Sequence, residues 1–259
     1  MKLADRIKQS QQKETRLIVT AGVRFAGKTA GLGTLPGKTL LAITADKESG
    51  AMGAVKVAEE NGNQLDFVFI TDAADALAVA KEALEAGYDN VAVDGLTAIT
   101  EVEAEKPAIS KLLNSTGNGV YAGWRAIGNE IVGLIQDLKS LSADTGKPIV
   151  LTLAFKDPKP DASGTISTLE PDIKGQMALS VIKGKCPFFV CAKRAHDKDG
   201  NPLHVLQTSP DDIYPARLDG VMAKDLPKGF RTERDKVEEG QPVGYDALLK
   251  FLDSYTKGE

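Results

Sequence analysis

Aromatic side chains are scarce: Phe, Trp and Tyr make up 5% of 259 residues, with one tryptophan. A core without them must rest on Ala, Val, Leu and Ile. Cysteine is nearly absent. Cys186 and Cys191 lie on one short apolar segment, where five residues of strand would turn them to opposite faces and too far apart to bridge. Two cysteines do not complete a four-ligand zinc site, and His196 and His204 do not stand at a ligand spacing from them. There is no excess of basic charge either. Thirty-six acidic residues against 32 Lys and Arg leave a net charge of −4, which excludes a general cationic coat. A nucleic acid would have to be met by local basic loops. No apolar run approaches the ~20 residues of a membrane helix. The opening MKLADRIKQSQQKETR has no apolar signal core. These absences predict a reduced, cytoplasmic protein without a membrane partner.

What remains is an ordinary globular composition, 42% hydrophobic and 26% charged, with 25 glycines for tight turns. The length suits one large α/β domain. RLIVTAG (16–22), TLLAITA (39–45), DFVFI (66–70), NVAVD (90–94) and KPIVLTLA (147–154) read as buried strands. The segment Asp72–Ala86 reads as a helix with Asp72 as N-cap and Gly87 just past its end. Residues 120–142 carry the strongest helical stripe, Trp124, Ile127, Ile131, Leu134, Ile135, Leu138 and Leu141. Runs at 186–192 and 203–208, joined by HDKDGN, predict an antiparallel hairpin at one edge, and residues 245–255 a closing helix. Strands alternating with helices predict a mainly parallel sheet covered on both faces.

The sharpest motif is Gly22-Val23-Arg24-Phe25-Ala26-Gly27-Lys28-Thr29, a full match to G-x-x-x-x-G-K-[ST] directly after the first strand. Such a loop, through Ala30, turns its backbone N–H groups onto phosphate oxygens. Lys28 would meet the β- and γ-phosphates, the Thr29 hydroxyl would ligate Mg²⁺, and a short helix would point its positive end at the anion. Arg24 and Phe25 are bulky for this loop, and Gly31 and Gly33 shorten the helix before Pro36. Asp94, closing the fourth strand, is the acid expected to hold the Mg²⁺ hydration shell. Asp46 and Glu48, after the second strand, are the candidates to orient the attacking water.

Taken in order, GVRFAGKTAGLGTLPGKTLLAI, YDNVAVDGLTAI, the helix with Trp124, KPIVLTLAFK, EPDIKGQMA and MAKDLPKGF resemble the phage-encoded RecA-like ATPases. Some of these belong to the RecA-like branch of phage single-strand annealing proteins. The likeness spans most of residues 16–230. From the residues themselves, 1–15, polar and rich in Gln and Lys, read as an N-terminal arm, loose or a short helix, and 231–259 as a C-terminal tail with the closing helix. The likeness implies a RecA-type P-loop NTPase core over 16–230. It implies ATP and Mg²⁺ as cofactors, with Lys28, Thr29 and Asp94 binding them and Asp46 or Glu48 as catalytic carboxylate. An ungapped comparison favours Asp46 where the family has Glu. The family's polar residue near the γ-phosphate is replaced here by Ala154 and Phe155, with Thr152 or Lys156 as substitutes.

The resemblance further implies a homo-oligomer, ring or filament, acting in recombination or annealing. Lys183, Lys185, Arg194 and Lys224 are its candidates for a cation supplied to the neighbouring subunit. Single-stranded DNA would be met by two loops, Glu101–Gly119 and Asp157–Gln176, with Lys156, Lys159 and Lys174. Neither loop offers an aromatic stacking platform in the sequence. Phage or host recombination and replication proteins would be further partners. Two other functions fit the same residues: a nucleotide-responsive DNA-binding protein with negligible hydrolysis, and an accessory P-loop ATPase acting on protein partners.

Overall fold

Short aliphatic runs make the strands, and alanine-rich amphipathic segments make the helices that cover them. The computed structural model describes residues 15–45, 48–158, 163 and 166–257. The chain runs β1 (Leu17–Gly22), α1 (Lys28–Gly31), a 3₁₀ turn (Leu32–Thr34), β2 (Lys38–Ile43), α2 (Glu48–Glu60), β3 (Gln64–Phe69), α3 (Ala73–Glu85) and β4 (Asn90–Asp94). It continues with α4 (Leu96–Glu105), α5 (Pro107–Leu113), α6 (Asn118–Thr145), β5 (Ile149–Ala154), α7 (Gln176–Lys185), β6 (Phe188–His196), β7 (Pro202–Gln207), β8 (Arg217–Leu218), β9 (Gly229–Arg231) and α8 (Gly244–Lys257).

The strands form one mixed sheet in the order β3-β2-β4-β5-β1-β6-β7-β9, with β8 paired to β6. β1 to β6 are all parallel; β7 and β8 join β6 antiparallel, and β9 joins β7. The architecture is therefore α/β, with the mostly parallel sheet and the antiparallel edge that the sequence predicts. Period-two alternation assigns the faces. Leu17, Val19 and Ala21 of β1 join the core beneath α3, α4, α6 and α7, while Ile18 joins the opposite core beneath α2 and α8.

Several segments differ from expectation. Residues 101–119, expected as a loop, are mostly helical: Pro107 at the first turn of α5 ends α4 and opens the next helix, and Ile99 and Ile109 bury on the core. The helix α2 has almost no hydrophobic stripe to detect because it buries only Ala51, Ala54 and Ala58. Its close approach depends on Gly33, where a Cβ would lie 2.4 Å from the Ala54 carbonyl oxygen. Trp124 leaves the buried stripe of α6 and is 38% exposed. Cys186 and Cys191 bury in the same core rather than facing apart, since Cys186 caps α7 ahead of the strand.

The closing helix is built into the core. Tyr245 is fully buried; its hydroxyl lies 2.6 Å from that of Thr20 in β1, and its main-chain N–H donates to Thr34 Oγ1 at 2.8 Å. Among the described residues no helix is long and apolar enough to cross a membrane.

Candidate functional site

The chain leaves β1 toward β2, whereas the adjacent β5 connects across β1 to β6. Opposite departures from neighbouring parallel strands open a crevice at their carboxyl ends, where ligands bind in α/β sheets. The Gly22–Thr29 loop fills that position. Gly22 is required there, since a Cβ would stand 2.7 Å from the Ala192 carbonyl oxygen. Gly27 takes the left-handed conformation at φ 80°. Phe25 does so too, at φ 61°, and is 91% exposed; Arg24 is exposed beside it. Both bulky side chains turn to solvent, so neither fills the loop. Lys28 Nζ folds back across the loop and donates to the Gly22 and Val23 carbonyls at 2.7 and 2.9 Å.

Asp94 reaches this loop from β4, with β5 lying between β4 and β1. The sheet register puts Thr20, Thr152 and Asp94 in one row. Asp94 is buried, and each oxygen of its carboxylate has a hydroxyl donor. Thr29 Oγ1 donates to Oδ2 at 2.5 Å, and Thr152 Oγ1 donates to Oδ1. The Thr152 hydroxyl is thus turned to Asp94. Burial of the nearby Tyr245 phenol pushes its pKa far up, despite the opposing bond to Thr20.

Thr29 and Asp94 therefore present one hydroxyl and one carboxylate to a common point. Among the described residues no group of three or more His, Cys, Asp or Glu side chains gathers to hold a metal. Mg²⁺ takes one or two protein carboxylates where phosphate oxygens and waters fill its remaining positions, so the pair fits that ion. Glu48 opens α2, and Gly50 in the same turn comes so near Thr29 that a Cβ on it would lie 3.3 Å from Thr29 Cγ2. Asp46 lies outside the described residues.

Of the four candidate trans cations, Arg194 shares the loop's end and face of the sheet. It is exposed, pairs in register with His204, and follows Val190 and Ala192 along one face of β6. Lys183 and Lys185 belong to the last turn of α7, on the opposite face from α1; Lys183 pairs with Glu170 at 3.2 Å. Lys224 sits in a 3₁₀ turn tied to Tyr255 near the end of α8.

Lys159 lies outside the described residues. Lys156 also pairs with Glu170, at 3.3 Å, and these two lysines hold the Glu170 carboxyl below its ordinary range, Lys183 most strongly. Lys156 borders a groove of about 320 Å³ together with Tyr121, Trp124, Ile173 and Gly175. Lys174, half-buried, lies beside it in sequence. Tyr121 is 75% exposed, so an aromatic pair stands at the carboxyl end of the sheet. The sequence does not mark this groove, because Trp124 matches the helical stripe.

Thr97, at the start of α4, links groove and loop. Its hydroxyl donates to the Asp172 carbonyl at 2.8 Å and accepts from the Ala154 N–H at 3.0 Å, three residues beyond Asp94.

A second cleft, about 590 Å³, opens on the other side of the loop, between Gly27, Ala30 and Gly31 and the residues His204, Thr232 and Glu233. Nothing in the sequence pattern singles out these last three; they read as a hairpin strand and an acidic tail. No protein-family model matches the chain, and a search of curated proteins finds no match.

Proposed function

We propose that this protein is a Mg²⁺-dependent, RecA-like P-loop ATPase that acts on single-stranded DNA as an oligomer. The observation that carries the reading is the bond between Thr29, at the end of the glycine-flanked loop, and Asp94, at the end of β4. Two segments far apart in sequence meet where a phosphate-bound metal would need them. In this reading the loop amides bind the phosphates, and Lys28 exchanges its two carbonyl contacts for phosphate oxygens. Thr29 and Asp94 would hold Mg²⁺, with Thr152 fixing the carboxylate. The ion, when bound, supplies charge neutralisation between the β- and γ-phosphates. Glu48 or Asp46 orients the attacking water.

The DNA part of the proposal is supported by the Tyr121–Trp124 groove beside Lys156. Exposed aromatic faces next to a cation suit stacked bases of a single strand. The order of motifs, the mostly parallel sheet and the antiparallel edge support the RecA-like reading.

One observation favours the reading with negligible hydrolysis. Thr152 is committed to Asp94, and Ala154 has no polar group, so no side chain on the end of β5 is left to sense the γ-phosphate. Phosphate release measured in Mg²⁺, with and without an oligonucleotide, separates the two. Release stimulated by DNA supports the ATPase; nucleotide binding without release supports the DNA-binding protein gated by nucleotide.

A further inference from the structure

The cleft beside Gly27 carries chemistry that the loop and Asp94 do not use. His204 stands on β7 with its ring against the loop: a Cβ on Gly27 would lie 2.9 Å from His204 Cδ2. Glu233 Oε1 accepts from the His204 main-chain N–H at 2.6 Å and lies 2.7 Å from its Nδ1. An ionised carboxylate only accepts, so Nδ1 carries the proton in that contact. Two donors on one oxygen fix the carboxylate in place. Among the described residues the other oxygen, Oε2, is buried and has no hydrogen-bond partner. A buried acceptor left unpaired is costly, and Glu233 lines the cleft, so a ligand donor that reaches this oxygen would relieve the cost.

Charge selects which part of a nucleotide that ligand is. A carboxylate repels phosphate oxygens, and Glu60 and Asp235 border the same cleft. Arg234, the guanidinium that lines it among the described residues, is tied to Asn61 and to the Gln241 carbonyl. The space suits the uncharged, donor-bearing end of a nucleotide whose phosphates lie on the loop, and its volume accommodates a nucleoside. We propose that Glu233, held by His204, is the specificity-determining acceptor for an O–H or N–H donor of a ribonucleoside triphosphate, either a ribose hydroxyl or the exocyclic amino group. This rests on the nucleotide reading above and adds to it what selects the nucleotide.

The test is calorimetric titration of the full chain in Mg²⁺ with ATP, 2′-deoxy-ATP, 3′-deoxy-ATP and purine riboside triphosphate, which lacks the amino group. One of the three analogues binds wild type about tenfold more weakly than ATP, and its identity names the donor. In Glu233→Gln the affinity for ATP drops toward that of the weak analogue, whereas Lys28→Ala weakens all four ligands alike. If all three analogues bind wild type as tightly as ATP, the inference is overturned while the nucleotide site stands. If wild type binds none of the four, both fall. The analogue comparison uses wild-type protein, so a misfolded Glu233→Gln does not affect it.

Discussion

Thr29 Oγ1 donates to Asp94 Oδ2 at 2.5 Å, joining the end of the glycine-flanked loop to the end of β4. The carboxylate is buried, and Thr152 donates to its other oxygen from the strand between them. Thr152→Val removes that donor while keeping the side-chain volume. The variant should lose about 1–3 kcal/mol of stability, because a hydroxyl donor to a buried carboxylate is removed. It should also need more Mg²⁺ for half-maximal activity. Thermal unfolding and a Mg²⁺ titration check the two effects.

Two glycines near α2 should respond with opposite signs. Gly33→Ala drives a Cβ to 2.4 Å from the Ala54 carbonyl oxygen and 2.7 Å from the Ala58 nitrogen, both backbone atoms. The helix must shift, at a cost of roughly 1–3 kcal/mol. Gly53, inside α2, would place its added methyl more than 4 Å from any described residue beyond its own turn of helix. Gly53→Ala should therefore stabilise by about 0.5–1 kcal/mol through helix propensity. Urea midpoints of the two variants test this directly.

Alkaline pH should weaken the fold. Burial raises the Cys186 thiol from 9.0 to about 11, and pushes Cys191 and Tyr245 upward as well. Groups whose protons are held more tightly in the folded state contribute their full stability below their unfolded pKa. That contribution is lost as pH rises from about 9 through 11. Melting temperature should fall across this window, and native protein below pH 8 should react with thiol reagents only after denaturant is added.

Trp124 is the sole tryptophan and borders the groove with Tyr121 and Lys156, so it reports on that surface. Oligothymidylate should quench its fluorescence, with affinity falling as salt rises. Tyr121→Ala should weaken binding by about 1–3 kcal/mol. Thr97→Val should leave oligonucleotide binding intact and reduce the response of phosphate release to it, since Thr97 ties α4 to both Ala154 and Asp172. Quenching that is absent or independent of Tyr121 would remove the DNA role from this groove.

The strands around the loop are legible in sequence because each is a short apolar run bounded by turn residues, and β4 ends at Asp94 as read. The cap of α3 is legible for a similarly local reason: Asp72 accepts from the Asp75 N–H. What lies outside such local signals is not legible. The helix α2 packs through alanines, and α5 is seven residues long among polar neighbours. The row Thr20–Thr152–Asp94 depends on register across three strands. The His204–Glu233 pair joins a strand to a segment that reads as an acidic tail, and only the fold brings it against Gly27.

The central claim is that Lys28 and Asp94 serve one metal–triphosphate. The most direct measurement is equilibrium binding of ATP with and without Mg²⁺ to wild type, Lys28→Ala and Asp94→Asn. The account predicts that Mg²⁺ tightens binding to wild type, that Lys28→Ala weakens binding in both conditions, and that Asp94→Asn abolishes the gain from Mg²⁺. Equal affinities across the three proteins, all folded, would contradict it.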